Sequence, residues 1–291
     1  MAKRKSSKAE APPKPPAFPG FRDISVAEYH ADYSAISKSM LWDFAKRRRI
    51  YEAKYVSKVL PSAAATRSMD LGTLTHVGVL EPLKFSQRYA VYPPECLNKK
   101  GDLIAKKAEE FRETVQDGRI VVKPSELETV QAMVRSVTEK LEGWLALESY
   151  REQAIYWTEP TTGLLCRCLV DWLIIANGQA FALDLKTTGD AHPAKFSYKC
   201  EDYGYALQDA HYREGIATAT QLPVTFLFVV CESEFPHVTS LQRLSEKDVV
   251  AAADHRRRLL GDLRSCHESG DFSESWEADI SELSLRQSCF A

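Results

Sequence analysis

The chain has 291 residues, 44% hydrophobic and 27% charged, enough apolar material for a sizeable core. Its formal net charge of −2 exerts no global pull on nucleic acid, so any DNA-binding surface has to come from local clustering. No apolar run approaches the roughly 18 residues needed to cross a bilayer and no secretory segment opens the chain, so a soluble cytoplasmic protein with no membrane partner is expected.

Residues 1–20 pass from Lys3-Arg4-Lys5 into a proline-rich stretch that cannot build a core. They are expected to form a disordered basic tail, leaving 21–291 as one folded domain. Ser37 is placed to cap a helix carrying Met40, Leu41 and Phe44 on one side. The cationic run Lys46 to Arg49 follows. Such runs are usually solvated helix ends; the alternative is phosphate contact by Arg47 and Arg48.

Between Met69 and Glu81, Leu71, Leu74 and Gly78 recur at helical spacing, with His76 off that stripe. A lone helical histidine is more often structural than a ligand. Residues 92–122 are polar and lysine-rich, with a helix expected around Lys106 to Val115. Pro124 at a first turn, followed by Leu127, Val130, Met133, Val134, Val137 and Leu141, marks an amphipathic helix that serves packing. Ala154 to Thr158 reads as a strand turning at Glu159 to Gly163. Glu152, just ahead of it, is either an approach to a metal pocket or a surface glutamate.

Two β-branched and aromatic runs then flank Asn177-Gly178, the strongest short-range signal for a two-residue type I′ hairpin. Such a turn sets the register: 176 opposes 179, and counting outward brings Asp171 opposite Asp184, with Cβ atoms about 4.5–5.5 Å apart. Val170, Trp172, Ile174, Phe181, Leu183 and Leu185 then share the core face. The acidic face carries Lys186, two residues beyond Asp184, and is kept uncrowded by Ala180 and Ala182. Opposed carboxylates destabilise a sheet unless a divalent cation removes the penalty, and hard oxygen ligands suit Mg²⁺. A register slip by a bulge would instead leave both aspartates merely solvated. Seven scattered cysteines make no disulfide framework, and Cys166 and Cys168 read as small hydrophobic fillers.

Beyond Lys186 a polar segment leads to a helix from about Tyr203 to Thr218, with Tyr205, Gln208 and Tyr212 along one side. Aromatics at this spacing are usually core; a glutamine between two tyrosines also suits a substrate-facing side. Pro223 to Cys231 reads as an interior strand covered on both faces, reached by a right-handed crossover. Ser245 with Asp248 opens a long helix toward His267. No chemistry is legible from Trp276 onward.

Asp171 with Asp184-Leu185-Lys186 resembles the PD-(D/E)XK nuclease signature, with Val170 where that name has proline. Joined by Thr75-His76, Leu80-Glu81-Pro82, Leu183 to Asp190 and Tyr205 to Tyr212, it is similar to the exonuclease VIII (RecE-type) branch, related to the RecB nuclease domain. The likeness runs from about Tyr29 to the C-terminal end. It implies an α/β fold, a central mixed β-sheet flanked by helices. It implies that His76, Asp171, Asp184 and the Leu185 carbonyl hold Mg²⁺, which Mn²⁺ can replace, and that Lys186, Asp184, Asp171 and Gln208 serve catalysis. Tyr212, Tyr205, Thr187, Arg47 and Arg48 become DNA-binding candidates. The family further implies processive 5′ to 3′ digestion of linear double-stranded DNA ends by a ring-shaped homotetramer. The 3′ single strands left behind pass to a RecT-like annealing recombinase in phage- or prophage-type recombination and repair. Two other classes are a non-catalytic DNA-end-binding or assembly protein and an iron–sulfur nuclease of the CRISPR-adaptation kind. The second needs clustered cysteines, which Cys266 and Cys289 do not supply.

Overall fold

The computed structural model describes residues 18–61, 66–274, 276–277 and 280. Most of the expected tail, residues 1–17, lies outside them, and so does Cys289. Residues 18–20 of the expected tail are described. The Phe18 ring meets Phe21 and Tyr150, and the Gly20 carbonyl accepts the Tyr156 amide.

Strand β1 (Phe21–Arg22) precedes α1 (Val26–Ala31), whose Ser25 cap and Glu28 satisfy each other's backbone amides. The capped helix expected at Ser37 is α2 (Lys38–Lys46), burying Met40, Leu41 and Phe44. A short α3 (Arg48–Tyr51) follows, then α4 (Arg67–Leu80), capped by Thr66. Strand β2 (Tyr89–Val91), α5 (Ala105–Thr114) and β3 (Ile120–Val122) make a small excursion in which β2 and β3 pair in parallel. Pro124 opens α6 (Pro124–Lys140), and α7 (Glu142–Leu145) leads into the main sheet.

That sheet contains β4 (Ser149–Thr158), β5 (Leu165–Ala176) and β6 (Gln179–Thr188). Helices α8 (Pro193–Tyr203) and α9 (Tyr205–Thr220) then carry the chain to β7 (Val224–Glu232), which β8 (Thr239–Gln242) joins before α10 (Glu246–Ser269). The order is β1-β4-β5-β6-β7-β8, antiparallel throughout except for the parallel β6–β7 pair. The mixed α/β sheet flanked by helices is therefore the architecture present. No helix among the described residues is long and apolar enough to cross a membrane.

Asn177 and Gly178 have φ of 52° and 73°, the pair of positive values a type I′ turn requires. The hairpin keeps the expected register from Ala176–Gln179 to Trp172–Leu183. There the ladder stops, and the Leu185 amide turns to the Asp171 carboxylate at 2.9 Å. Strands β4 and β5 pair on either side of Glu152 and Asp171 but not at that rung, where Glu152 has φ of 50°. Positive φ in a non-glycine strand residue is strained, and here it interrupts the side-chain alternation.

The interruption corrects two expectations. Val170 packs in one buried layer with Leu173, Ala180 and Ala182, whereas Trp172, Ile174, Leu183 and Leu185 face the other. Both faces are thus core: the alanines are covered by Phe226 and Phe228 and lie on the layer of α2, α9 and α10, while α4 and α6 cover the opposite side. The polar segment after Lys186 holds α8, and Glu152 lies within β4 rather than before it.

Leu173 is fully buried at the centre of the hairpin. Leu173→Ala is expected to cost about 2–5 kcal/mol, read in urea denaturation as a lower midpoint at unchanged m-value.

Candidate active site

The strand interruption opens onto a cleft of about 1200 Å³, lined on one side by α4 and on the other by α8 and α9. Asp171, Asp184, Leu185, Lys186 and Thr187 enter it from β5 and β6, His76 from α4, Glu152 from β4, and Tyr205, Gln208 and Tyr212 from α9. Of the candidates read from the sequence, Arg47 and Arg48 alone do not line it. Arg47 lies over the Trp276 ring at 5.2 Å, and Arg48 reaches Asp262 at 3.4 Å, a site on α10.

Asp184 is almost fully buried. Gln208 Nε2 donates to its Oδ1 at 2.5 Å, and the Lys186 ammonium meets its Oδ2 at 2.5 Å. Burial raises the Asp184 pKa, with Asp171 adding to it and Lys186 opposing. Burial also acts against the Lys186 ammonium, but Asp184 and Asp171 outweigh it and keep Lys186 charged. The Lys186 nitrogen sits 4.9 Å from the Tyr205 ring centre, a cation–π contact that holds it at the cleft wall.

On the other side of the interrupted rung, one ligand atom each from His76, Glu152 and Asp171 lie within 4.8 Å of one another. His76 Nδ1 is 3.5 Å from Asp171 Oδ2, and its Nε2 is 2.8 Å from the Leu185 carbonyl oxygen. Burial, together with the charges of Asp171, Glu81 and Asp184, pushes Glu152 up to about 8. Two acids and an imidazole facing one another beside a backbone carbonyl are a donor set that fits a hard divalent cation, which would relieve this repulsion. Asp184 stands apart from that group, its oxygens engaged by Gln208 and Lys186.

Sequence reasoning placed Glu152 ambiguously, quoted Glu81 in a motif without giving it a role, and overlooked Arg88, Lys38 and Lys199; all of these line the cleft. Lys38 is the first residue after the Ser37 cap, and burial lowers its pKa to about 8, with Lys186 contributing. The missed helix α8 did carry a signal: His192 caps its start, and Pro193 occupies the first turn. Cys166, Cys168 and Cys266 are buried in the core, and no cysteine belongs to a three-residue ligand group among the described residues.

A mixed sheet with an acid, a second acid and a lysine at its interrupted centre is the core of a PD-(D/E)XK-type protein. The chain belongs to the family described as "PDDEXK-like domain of unknown function (DUF3799)", whose profile matches residues 37–278. A crystal structure named "Putative exonuclease", from Eubacterium rectale, is similar with a TM-score of 0.56 at 12% identity, over 92% of this chain and 98% of that one. At that identity the likeness shows the fold. Weaker matches are SSO0001 (TM-score 0.29, 13% identity, 66% of this chain and 85% of that one) and VC1899 from Vibrio cholerae (0.22, 10%, 86% and 63%). No curated protein matches.

Because Glu152 holds its proton in the folded state up to about pH 8 but ionises near 4.5 when unfolded, folding stability should fall as pH rises through that window. In chelator, the melting temperature is expected to drop between pH 5 and pH 8, and Glu152→Gln to flatten the decline, as measured by differential scanning fluorimetry.

Proposed function

We propose that the protein is a Mg²⁺-dependent exodeoxyribonuclease acting on linear double-stranded DNA, 5′ to 3′ and processively. The observation that carries this reading is Lys186, held charged beside Asp184 in the wall of a cleft that also gathers Asp171, Glu152 and His76. His76, Asp171, Glu152 and the Leu185 carbonyl would hold the cation, with Asp184 bordering it and Mn²⁺ able to substitute. The bound cation supplies Lewis-acid chemistry, lowering the pKa of a water and offsetting phosphate charge.

The chain's own groups divide the remaining work. Lys186 presents an ammonium to the charge that builds on the phosphate as the bond breaks, in a partly buried site where that interaction is strengthened. Gln208 orients the Asp184 carboxylate through its 2.5 Å hydrogen bond. Tyr205, Tyr212 and Thr187 line the path of the DNA. The 3′ strands left behind suit an annealing recombinase of the RecT-like class, within phage- or prophage-type recombination and repair. A homotetrameric ring and a cytoplasmic location complete the reading, on the family resemblance alone.

Lys186→Ala and Asp184→Ala are each expected to lower cleavage by about 10²-fold or more, while leaving DNA binding intact. The assay is digestion of linear duplex labelled at its 5′ or 3′ end, with a covalently closed circle as control. Label release from the 5′ end first, and an untouched circle, are the expected results. Full turnover in both variants would remove the assignment, and cutting of the circle would make the enzyme an endonuclease.

A further inference from the structure

We propose that the cleft wall formed by α8 and the start of α9 is a binding strip for an unpaired nucleic-acid strand. Tyr203, backed by Tyr205, stacks on its bases, and Lys38 and Lys199 meet its phosphates. The inference rests on the nuclease reading and adds the form in which substrate reaches Lys186.

The strip is a row of rings running from core to rim. Phe196 stacks on Tyr205 with centroids 5.7 Å apart and planes at 28°, and Tyr205 stacks on Tyr203 at 5.7 Å and 21°. Tyr203, the outer ring, is 52% exposed. Three ammonium groups flank the row: Lys186 Nζ at 4.9 Å and Lys38 Nζ at 5.5 Å from the Tyr205 centroid, and Lys199 Nζ at 5.7 Å from that of Tyr203. All six residues line the same cleft.

The row is also held in place. Gly204, at φ of 63°, turns the chain between α8 and α9, and a Cβ there would come within 2.6 Å of the Trp42 ring. Lys38 Nζ donates to the Tyr203 carbonyl at 2.5 Å, tying the corner to α2.

Cations interleaved with stackable rings are the means by which proteins grip single strands: the rings accept any base face, and the cations follow the backbone. A base-paired duplex keeps its base faces stacked inside and offers only phosphates and groove edges. Apart from the terminal pair at a duplex end, the half-open Tyr203 ring can stack only on bases released from pairing. Because Lys186 lies against Tyr205, the ring directly behind Tyr203, a strand held on Tyr203 is the one whose phosphate reaches the reactive groups. The cleaved strand thus leaves its partner before the bond is broken.

The experiment uses a short oligonucleotide carrying 2-aminopurine near its 5′ end, mixed with the full chain in chelator so that nothing is consumed. Binding by the wild type should quench the fluorophore through stacking. Tyr203→Ala should weaken binding about tenfold and lose most of the quench, whereas Tyr203→Phe, which keeps the ring, should retain both. Lys199→Ala should keep the quench and lessen the dependence of affinity on salt. Wild-type quenching and affinity in Tyr203→Ala, from an enzyme that still cuts DNA, would overturn the strip and leave the nuclease reading standing. A folded wild type that neither cuts any DNA nor binds the oligonucleotide would overturn both.

Discussion

The site depends on carboxylates being held together where they repel one another. Glu152, Asp171 and Asp184 converge on one interrupted rung of a sheet, where apolar layers pack on both sides and a cleft opens beside the acids. An isolated buried charge is costly enough that a carboxyl group normally takes a proton instead. Glu152 shows that response, its pKa pushed up to about 8 by burial and its acidic neighbours. The backbone adds strain at the same residue through its positive φ. Neither feature helps the chain fold; a bound cation would relieve the repulsion between the carboxylates.

What keeps the acids in place is the quality of the sheet on either side. Strand β5 runs between β4 and β6, and β6 pairs with β7 over nine rungs from Ala180–Val224 to Thr188–Glu232. One layer closes over Ala180 and Ala182 with Phe226 and Phe228; the other closes over Trp172 and Leu183 with α4 and α6. The small side chains on β6 let the aromatic side chains of β7 lie close, and the strand carrying Asp184 and Lys186 is paired to β7 along its length. Lys186 is held charged by its acidic neighbours and capped by the Tyr205 ring, which fixes where its ammonium points.

Much of this was legible in the sequence because it is written in local signals. Asn177-Gly178 sets a turn, the turn sets a register, and the register puts Asp171 and Asp184 at the same level. Capping residues marked α2 and α10, and a first-turn proline marked α6. The break at Glu152 was not legible, because nothing in a β-branched or polar run announces that two adjacent strands lose alternation together. That is why Val170 was placed on the wrong layer. Helix α8 was hidden by its polar composition, its buried side being little more than Phe196. Arg47 and Arg48 were read from charge alone, and charge says nothing of direction: Arg48 instead finds Asp262, more than two hundred positions away.

His76 shows how packing can decide a role that residue type leaves open. It lies off the apolar stripe of α4, so the helix must come close for its imidazole to reach the sheet. Two glycines on α4 allow that approach. A Cβ at Gly78 would lie 2.5 Å from a Val134 methyl on α6, and one at Gly72 would lie 3.0 Å from the Thr187 hydroxyl on β6. The first separation is one that real side chains essentially never adopt, and the second is tighter than most. Any larger residue at 78 would push α4 off α6, and one at 72 would press it away from the end of β6. His76 sits between these two glycines in sequence, with its Nε2 at 2.8 Å from the Leu185 carbonyl. The residues that make the histidine a plausible ligand are therefore the ones without side chains, which a search for chemically active groups passes over.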